Sequence, residues 1–215
     1  MKKTFLLIWV LNIMLLTSAQ SNEAKKILDE VSTKTRSWKT LSADFIYSLE
    51  NKEMNIHESN EGAIWMKSEK YSVSLPGIGW RIFSDGETVW NYMEEGNQVT
   101  ISNIEDGESE LMDPSNLLTI YEKGFRSELA GEKMIGNISC FEIELYPDSP
   151  QYEVNKIIIY IGKADKMIKS ARLFSTDGNL YGIDVKKMIA NADFPETYLV
   201  FNPQEYSDIE IIDFR

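Results

Sequence analysis

From Leu41 onward the hydrophobicity of this chain alternates with period two, and it does so in one short run after another as far as Phe201. Leu41, Ala43, Phe45, Tyr47 and Leu49 fall on one side of an extended backbone, and Ser42, Asp44 and Ser48 on the other, the pattern of a half-buried antiparallel strand. Further strand-like runs cover 62–66, 70–75, 81–84, 88–93, 98–102, 139–146, 156–161, 168–175, 180–187 and 198–201, about eleven in all. Between them stand Asp85-Gly86, Gly96-Asn97, Asp106-Gly107 and Asp177-Gly178-Asn179, whose residues tolerate the positive φ of tight hairpin turns. Helices do not alternate with these strands, so a doubly wound fold is excluded. A sheet of that many strands twists until it coils, splits or closes. The expected fold is mainly β: a single large antiparallel sheet curled into an open, incomplete β-barrel.

Two helices are available to close its concave side. Ala24, Ile27, Leu28 and Val31 recur at helical spacing after a cap at Ser21 or Asn22, with Lys25, Lys26, Asp29 and Glu30 opposite, which predicts an amphipathic helix to about Arg36. Asp113-Pro114, followed by Leu117, Leu118, Ile120 and Tyr121 and ended by Gly124, predicts a second, short one. An apolar cavity beneath these helices is the geometric consequence.

Residues 1–19 stand apart. Met1-Lys2-Lys3, the apolar run from Phe5 to Leu16 and the small residues Thr17-Ser18-Ala19 read as a secretory signal peptide cleaved near Ala19. The run is about half the ~20 residues of a membrane-spanning helix. Gln20 occupies the position where a bacterial lipoprotein carries its lipidated Cys, so the expected product is an exported, unlipidated, periplasmic protein in which 20–215 forms one domain.

Composition removes several function classes. The 215 residues hold 34 Asp+Glu against 22 Lys+Arg, a formal net charge of −12, and no basic stripe overturns the resulting repulsion of nucleic acid. One His and one Cys cannot assemble a zinc site, and no metal or other cofactor is expected. Cys140, between Ile138 and Phe141, reads as a small buried hydrophobe, and His57, in the polar stretch 55–60, as an exposed loop residue. Asn137-Ile138-Ser139 fits a glycosylation sequon and reads as accidental. The acidic run 105–110 reads as a solvated loop, with a basic partner as the alternative. No nucleophile and base stand in a recognisable arrangement, so an enzyme is not expected.

The order of these signals resembles the outer-membrane lipoprotein carrier (LolA) family. Leu41-Ser42-Ala43-Asp44-Phe45 is similar to the family's opening strand, Gly62-Ala63-Ile64-Trp65-Met66-Lys67 to its Trp strand, and Ser84-Asp85-Gly86-Glu87-Thr88-Val89-Trp90-Asn91-Tyr92 to its most specific hairpin. Asn97-Gln98-Val99-Thr100 follows at the expected distance, Pro114 with Leu117-Leu118 is similar to its short helix, and Asp177-Gly178-Asn179 to its late turn. The resemblance implies a half-barrel whose cavity holds the acyl chains of lipoproteins, loaded by an inner-membrane ABC transporter and unloaded to an outer-membrane receptor, by a carrier expected to be a monomer. A carrier of another lipid or glycolipid, or a non-transport module that senses lipoproteins, are the alternatives. The family's Trp strand commonly continues with an Arg that latches the lid; here Lys67-Ser68-Glu69 stands instead, making Lys67 and Ser68 the latch candidates.

The candidate cavity residues are Phe45, Tyr47, Trp65, Tyr71, Trp90, Tyr92, Leu117, Leu118 and Tyr121. For Trp65, Trp90 and Tyr92 ordinary sheet packing is an equal expectation, and period two sends Trp90 and Tyr92 the same way. Leu117, Leu118 and Tyr121 suit a fixed core helix and a movable lid alike. Met93, Met112 and Met134, near proposed lid or hairpin positions, are compatible with an adaptable apolar wall.

Overall fold

The computed structural model describes residues 20–104 and 124–215. The leader, the acidic run 105–110, Met112 and the Pro114 helix with Leu117, Leu118 and Tyr121 lie outside the described residues.

Among the described residues a helix, α1, at 20–36 precedes twelve strands. These are β1 (Thr40–Asn51), β2 (Ile56–Lys67), β3 (Lys70–Leu75), β4 (Trp80–Ser84), β5 (Thr88–Met93), β6 (Gln98–Asn103), β7 (Phe125–Ile135), β8 (Ile138–Pro147), β9 (Val154–Gly162), β10 (Ile168–Ser175), β11 (Leu180–Ala190) and β12 (Glu210–Asp213). They form one sheet in the order β12-β6-β5-β4-β3-β2-β1-β11-β10-β9-β8-β7, which does not close into a barrel. Two meanders, β1 to β6 and β7 to β11, are joined by the antiparallel pairing of β1 with β11. β12 alone runs parallel to its neighbour, β6.

Several departures from the sequence pattern have local causes. In β7 the alternation breaks at Gly131, where a register shift against β8 interrupts the period. β12 has only four residues and is specified by a distant partner. Tyr198–Phe201, predicted as a strand, is instead the end of a 3-10 turn at Glu196–Leu199 and the extended chain after it, because its aromatic groups bind the sheet's outer face and its backbone does not join a ladder. The residues 56–60, predicted as loop, extend β2 because β1 pairs with them throughout, from Tyr47 against Asn60 to Asn51 against Ile56; His57 is exposed on this strand.

The face covered by α1 is the inner face. Ala24, Ile27, Leu28 and Val31 are buried against Ile143, Leu145, Ile157, Ile159 and Ile161 of β8 and β9. Lys25 and Asp29 pair at 3.0 Å on the exposed side of the helix. At its C-terminal end Lys34 Nζ donates to the Asp165 carbonyl at 2.6 Å, and Lys166 pairs with Glu30 at 3.1 Å, fixing the helix over the β9–β10 turn. On the outer face of the same half, Cys140 is fully buried with Ile158 and Tyr160, and burial raises its thiol pKa.

After β11 the chain crosses the outer face of the other half. Tyr198 meets Trp65 edge-on at 5.2 Å, Phe201 lies 5.9 Å from Phe83 and 6.4 Å from Trp90, and Tyr206 lies 4.4 Å from Tyr92. Leu199 is buried in this layer. The crossing ends where Asn97 Nδ2 donates to the Ser207 carbonyl at 2.8 Å and β12 joins β6.

Candidate functional site

A cavity of about 480 Å³ lies on the inner face of the β1–β6 half and reaches under the end of α1, within the ~300–1,000 Å³ of small-molecule sites. Its construction follows from period two. Leu41, Ala43, Phe45 and Tyr47 of β1, Ile64 and Met66 of β2, Tyr71, Val73 and Leu75 of β3, and Trp80 and Ile82 of β4 all face it. From the other meander come Leu173 of β10 and Tyr181, Ile183, Val185 and Met188 of β11.

Two local devices shape this wall. In β11 the register against β1 skips Lys186, so that Asp44 faces Lys187 and Phe45 faces Val185. This extra residue changes the phase of the strand and lets Met188 and Val185, three apart, face the same side. Lys186 itself turns to Glu61 at 2.6 Å, and that ion pair holds the Glu61 carboxyl below its usual range. The second device is Gly62, opposite Phe45 in the ladder. A Cβ there would come within 2.5 Å of the Phe45 ring and 2.8 Å of Leu75, so the absence of a side chain lets both pack close against β2.

Of the predicted residues, Phe45, Tyr47 and Tyr71 share the cavity wall; the Tyr47 hydroxyl has its pKa raised, first by burial and then by Tyr181 and Glu58. Trp65, Trp90 and Tyr92 do not. They point outward, beneath Tyr198, Phe201 and Tyr206, because the inward positions of β2 and β5 are Ile64, Met66, Val89 and Asn91. Lys67 pairs with Glu196 of the outer crossing, and Ser68 sits in the β2–β3 turn with φ 55°. Met93 and Met134 are exposed, and among the described residues the methionines facing the cavity are Met66, Met167 and Met188.

Trp38 and Trp80 also face the cavity, as do Asn91, Thr100 and Ser102. Reading the face of β4 from Trp80 and Ile82, and carrying it through the hairpin to Val89 and Asn91, would have found two of these, Trp80 and Asn91. The hairpin is fixed by Asp85, whose carboxylate accepts from the N–H groups of Glu87 at 3.0 Å and Thr88 at 2.8 Å. Partial burial opposes ionisation of that carboxyl, and these N–H groups outweigh it, holding the pKa below the usual carboxylate range. None of the described residues lining the cavity carries a charge. Among the described residues no group of three His, Cys, Asp or Glu side chains is placed to hold a metal, and no helix is long and apolar enough to cross a membrane.

Comparison with known proteins locates this architecture. The family model described as outer membrane lipoprotein carrier protein LolA matches residues 36–202. No curated protein sequence matches the chain. Among solved structures, an uncharacterized conserved protein from Thermus thermophilus is 17% identical, with a TM-score of 0.59 over 89% of this chain and 99% of the other. MucB is 12% identical, with a TM-score of 0.54 over 89% of this chain and 66% of its own. A putative outer membrane lipoprotein-sorting protein domain from Vibrio parahaemolyticus is 10% identical, with a TM-score of 0.48 over 82% of this chain and 96% of that domain. At these identities the first two likenesses establish the fold alone.

Proposed function

The chain belongs to the outer membrane lipoprotein carrier (LolA) family, and from that premise we propose that it is a periplasmic carrier, exported by the leader at 1–19, that holds acyl chains of lipoproteins in the inner-face cavity. The observation that carries this reading is a cavity walled mostly by aliphatic and aromatic side chains, with no charge among the described residues that line it. Such a wall favours hydrocarbon and penalises any unpaired ion brought into it. It also supports binding and not turnover, since none of the described residues lining it is a His, Cys, Asp, Glu or Lys.

Energetics favour transfer over storage. Three chains of about sixteen carbons at ~0.8 kcal/mol per methylene amount to roughly 35 kcal/mol of gross burial from water, beyond the practical ceiling of non-covalent affinity. A bilayer is equally apolar, so moving cargo between membrane and carrier exchanges like for like and leaves a small net affinity, as a carrier that must release its load requires. Loading by an inner-membrane ABC transporter and delivery to an outer-membrane receptor, by a monomeric carrier, complete the reading.

Mass spectrometry of protein isolated from the periplasm under mild conditions tests it. Acylated polypeptides should co-purify, and protein stripped of them should rebind a synthetic palmitoylated lipopeptide. Protein that neither retains nor rebinds an acyl chain would overturn the proposal.

A further inference from the structure

The cavity wall is not uniform. On β5 and β6 the inward positions are Val89, Asn91, Thr100 and Ser102, whereas the outward ones are Trp90, Tyr92, Val99 and Ile101, with Val99 fully buried. The polarity of the sheet is therefore reversed at this edge: its apolar side is covered by the outer crossing and its polar side faces the cavity. Asn91 stands directly across the ladder from Thr100, and Val89 across from Ser102. The Asn91 carboxamide oxygen accepts from the Trp80 indole N–H, which leaves its two N–H donors without a partner among the described residues. The Thr100 hydroxyl donates to the Asn91 main-chain carbonyl across a long 3.4 Å.

We propose that Trp80, Asn91, Thr100 and Ser102 form the head-group end of the cavity, a subsite that takes the neutral ester or amide linkage of an acylated ligand and selects against a free carboxylate or phosphate. The inference rests on the acyl-binding reading and adds the orientation and the head-group chemistry of the ligand. Hydrogen-bond donors and acceptors converge at this end, while the chain runs toward Phe45, Ile183 and Leu173. The solvated strand residues of this acidic protein are often charged, as Glu58, Glu61 and Glu132 are; at the subsite the described residues bring only neutral hydrogen-bonding groups. An ester carbonyl finds donors in the Asn91 amide and the Ser102 hydroxyl, and in the Thr100 hydroxyl in exchange for its long main-chain bond. Among the described residues an ionised head group finds no cation there, so it would be desolvated without a pairing partner from them.

The test uses three probes on the mature protein at pH 8: monopalmitoylglycerol, palmitate, and N-phenylnaphthylamine as a probe with no acyl linkage. The wild type should bind monopalmitoylglycerol at least about tenfold more tightly than palmitate. Thr100→Val and Ser102→Ala should each weaken monopalmitoylglycerol by about threefold to tenfold, the worth of one hydrogen bond, and leave N-phenylnaphthylamine unchanged. Ser102→Lys, with unaltered melting, should raise palmitate affinity selectively. Equal affinity for the ester and the carboxylate, or variants that shift all three probes alike, would overturn the subsite while leaving acyl binding intact. Failure of the wild type to bind any of the probes would instead overturn the acyl-binding reading, and the subsite with it.

Discussion

The two halves of this sheet bury opposite faces to different degrees. In the β7–β10 half the inner face is filled: α1 lies on it, and Ile143, Ile159 and Ile161 have at most 1% exposure. In the β1–β6 half the inner face surrounds a cavity, with Phe45, Tyr71, Val73 and Leu75 buried on its wall, and a second apolar layer lies on the outer face, where Tyr198, Leu199, Phe201 and Tyr206 cover Trp65, Phe83, Trp90 and Tyr92. A strand with one face toward a cavity gains less from that face, so its stability must come from the other. The outer crossing supplies it, and this frees the inner face for a ligand.

Core truncation should break the symmetry between the halves most strongly. Ile159→Ala, under α1, should cost about 2–5 kcal/mol, the range for emptying a packed site, whereas Ile183→Ala enlarges a space that already exists and should cost under about 1.5 kcal/mol. Urea unfolding of the two variants checks this, and equal costs would mean that the cavity is packed as tightly as the core. Leu199→Ala on the outer cover should cost about 2 kcal/mol, placing that layer with the core and not with the cavity wall.

Gly62→Ala sharpens the contrast at smaller cost. Its methyl group must displace the Phe45 ring and the Leu75 side chain, an overpacking of about 1–3 kcal/mol, and the space both side chains border is the cavity. Lipopeptide affinity should therefore fall more than melting suggests. The smallest effect belongs to Lys67→Ala. Lys67 holds the Glu196 carboxyl below its usual value of 4.5, so whatever the ion pair contributes is present above pH 4.5 and is lost as the pH falls through the lowered value. At neutral pH the variant should melt almost as the wild type does, since exposed pairs contribute little, and should differ from it even less in acid.

The alternation of Leu41 to Leu49 and the Asp85-Gly86 turn made the large sheet legible, because both are local signals. The helix at 20–36 was legible for the same reason: its apolar stripe is the stripe that packs. The direction in which each strand faces was only half legible. Period two groups Trp90 with Tyr92, but it leaves open which group faces in, and the large aromatics invite the cavity as their place. What sends them out is the segment at 196–206, more than a hundred residues later, whose run at 198–201 reads as a strand because its aromatic and β-branched residues have strand propensity. The phase change at Lys186, too, is visible only once Val185 and Met188 are both seen to face inward. Trp38 and Trp80, on the cavity, escaped a reading that followed the Trp90 strand.

Single-tryptophan proteins test the central claim most directly. In mature protein with Trp38, Trp65 and Trp90 replaced by Phe, the emission of Trp80 should move to shorter wavelength as a palmitoylated lipopeptide is added, because the ligand displaces water from the inner face. The companion protein retaining only Trp90 should show no shift, its ring being covered by Phe201 on the far side of the sheet. A shift in the Trp90 protein with a silent Trp80 would contradict the account, placing the ligand under the outer crossing and making the inner cavity incidental.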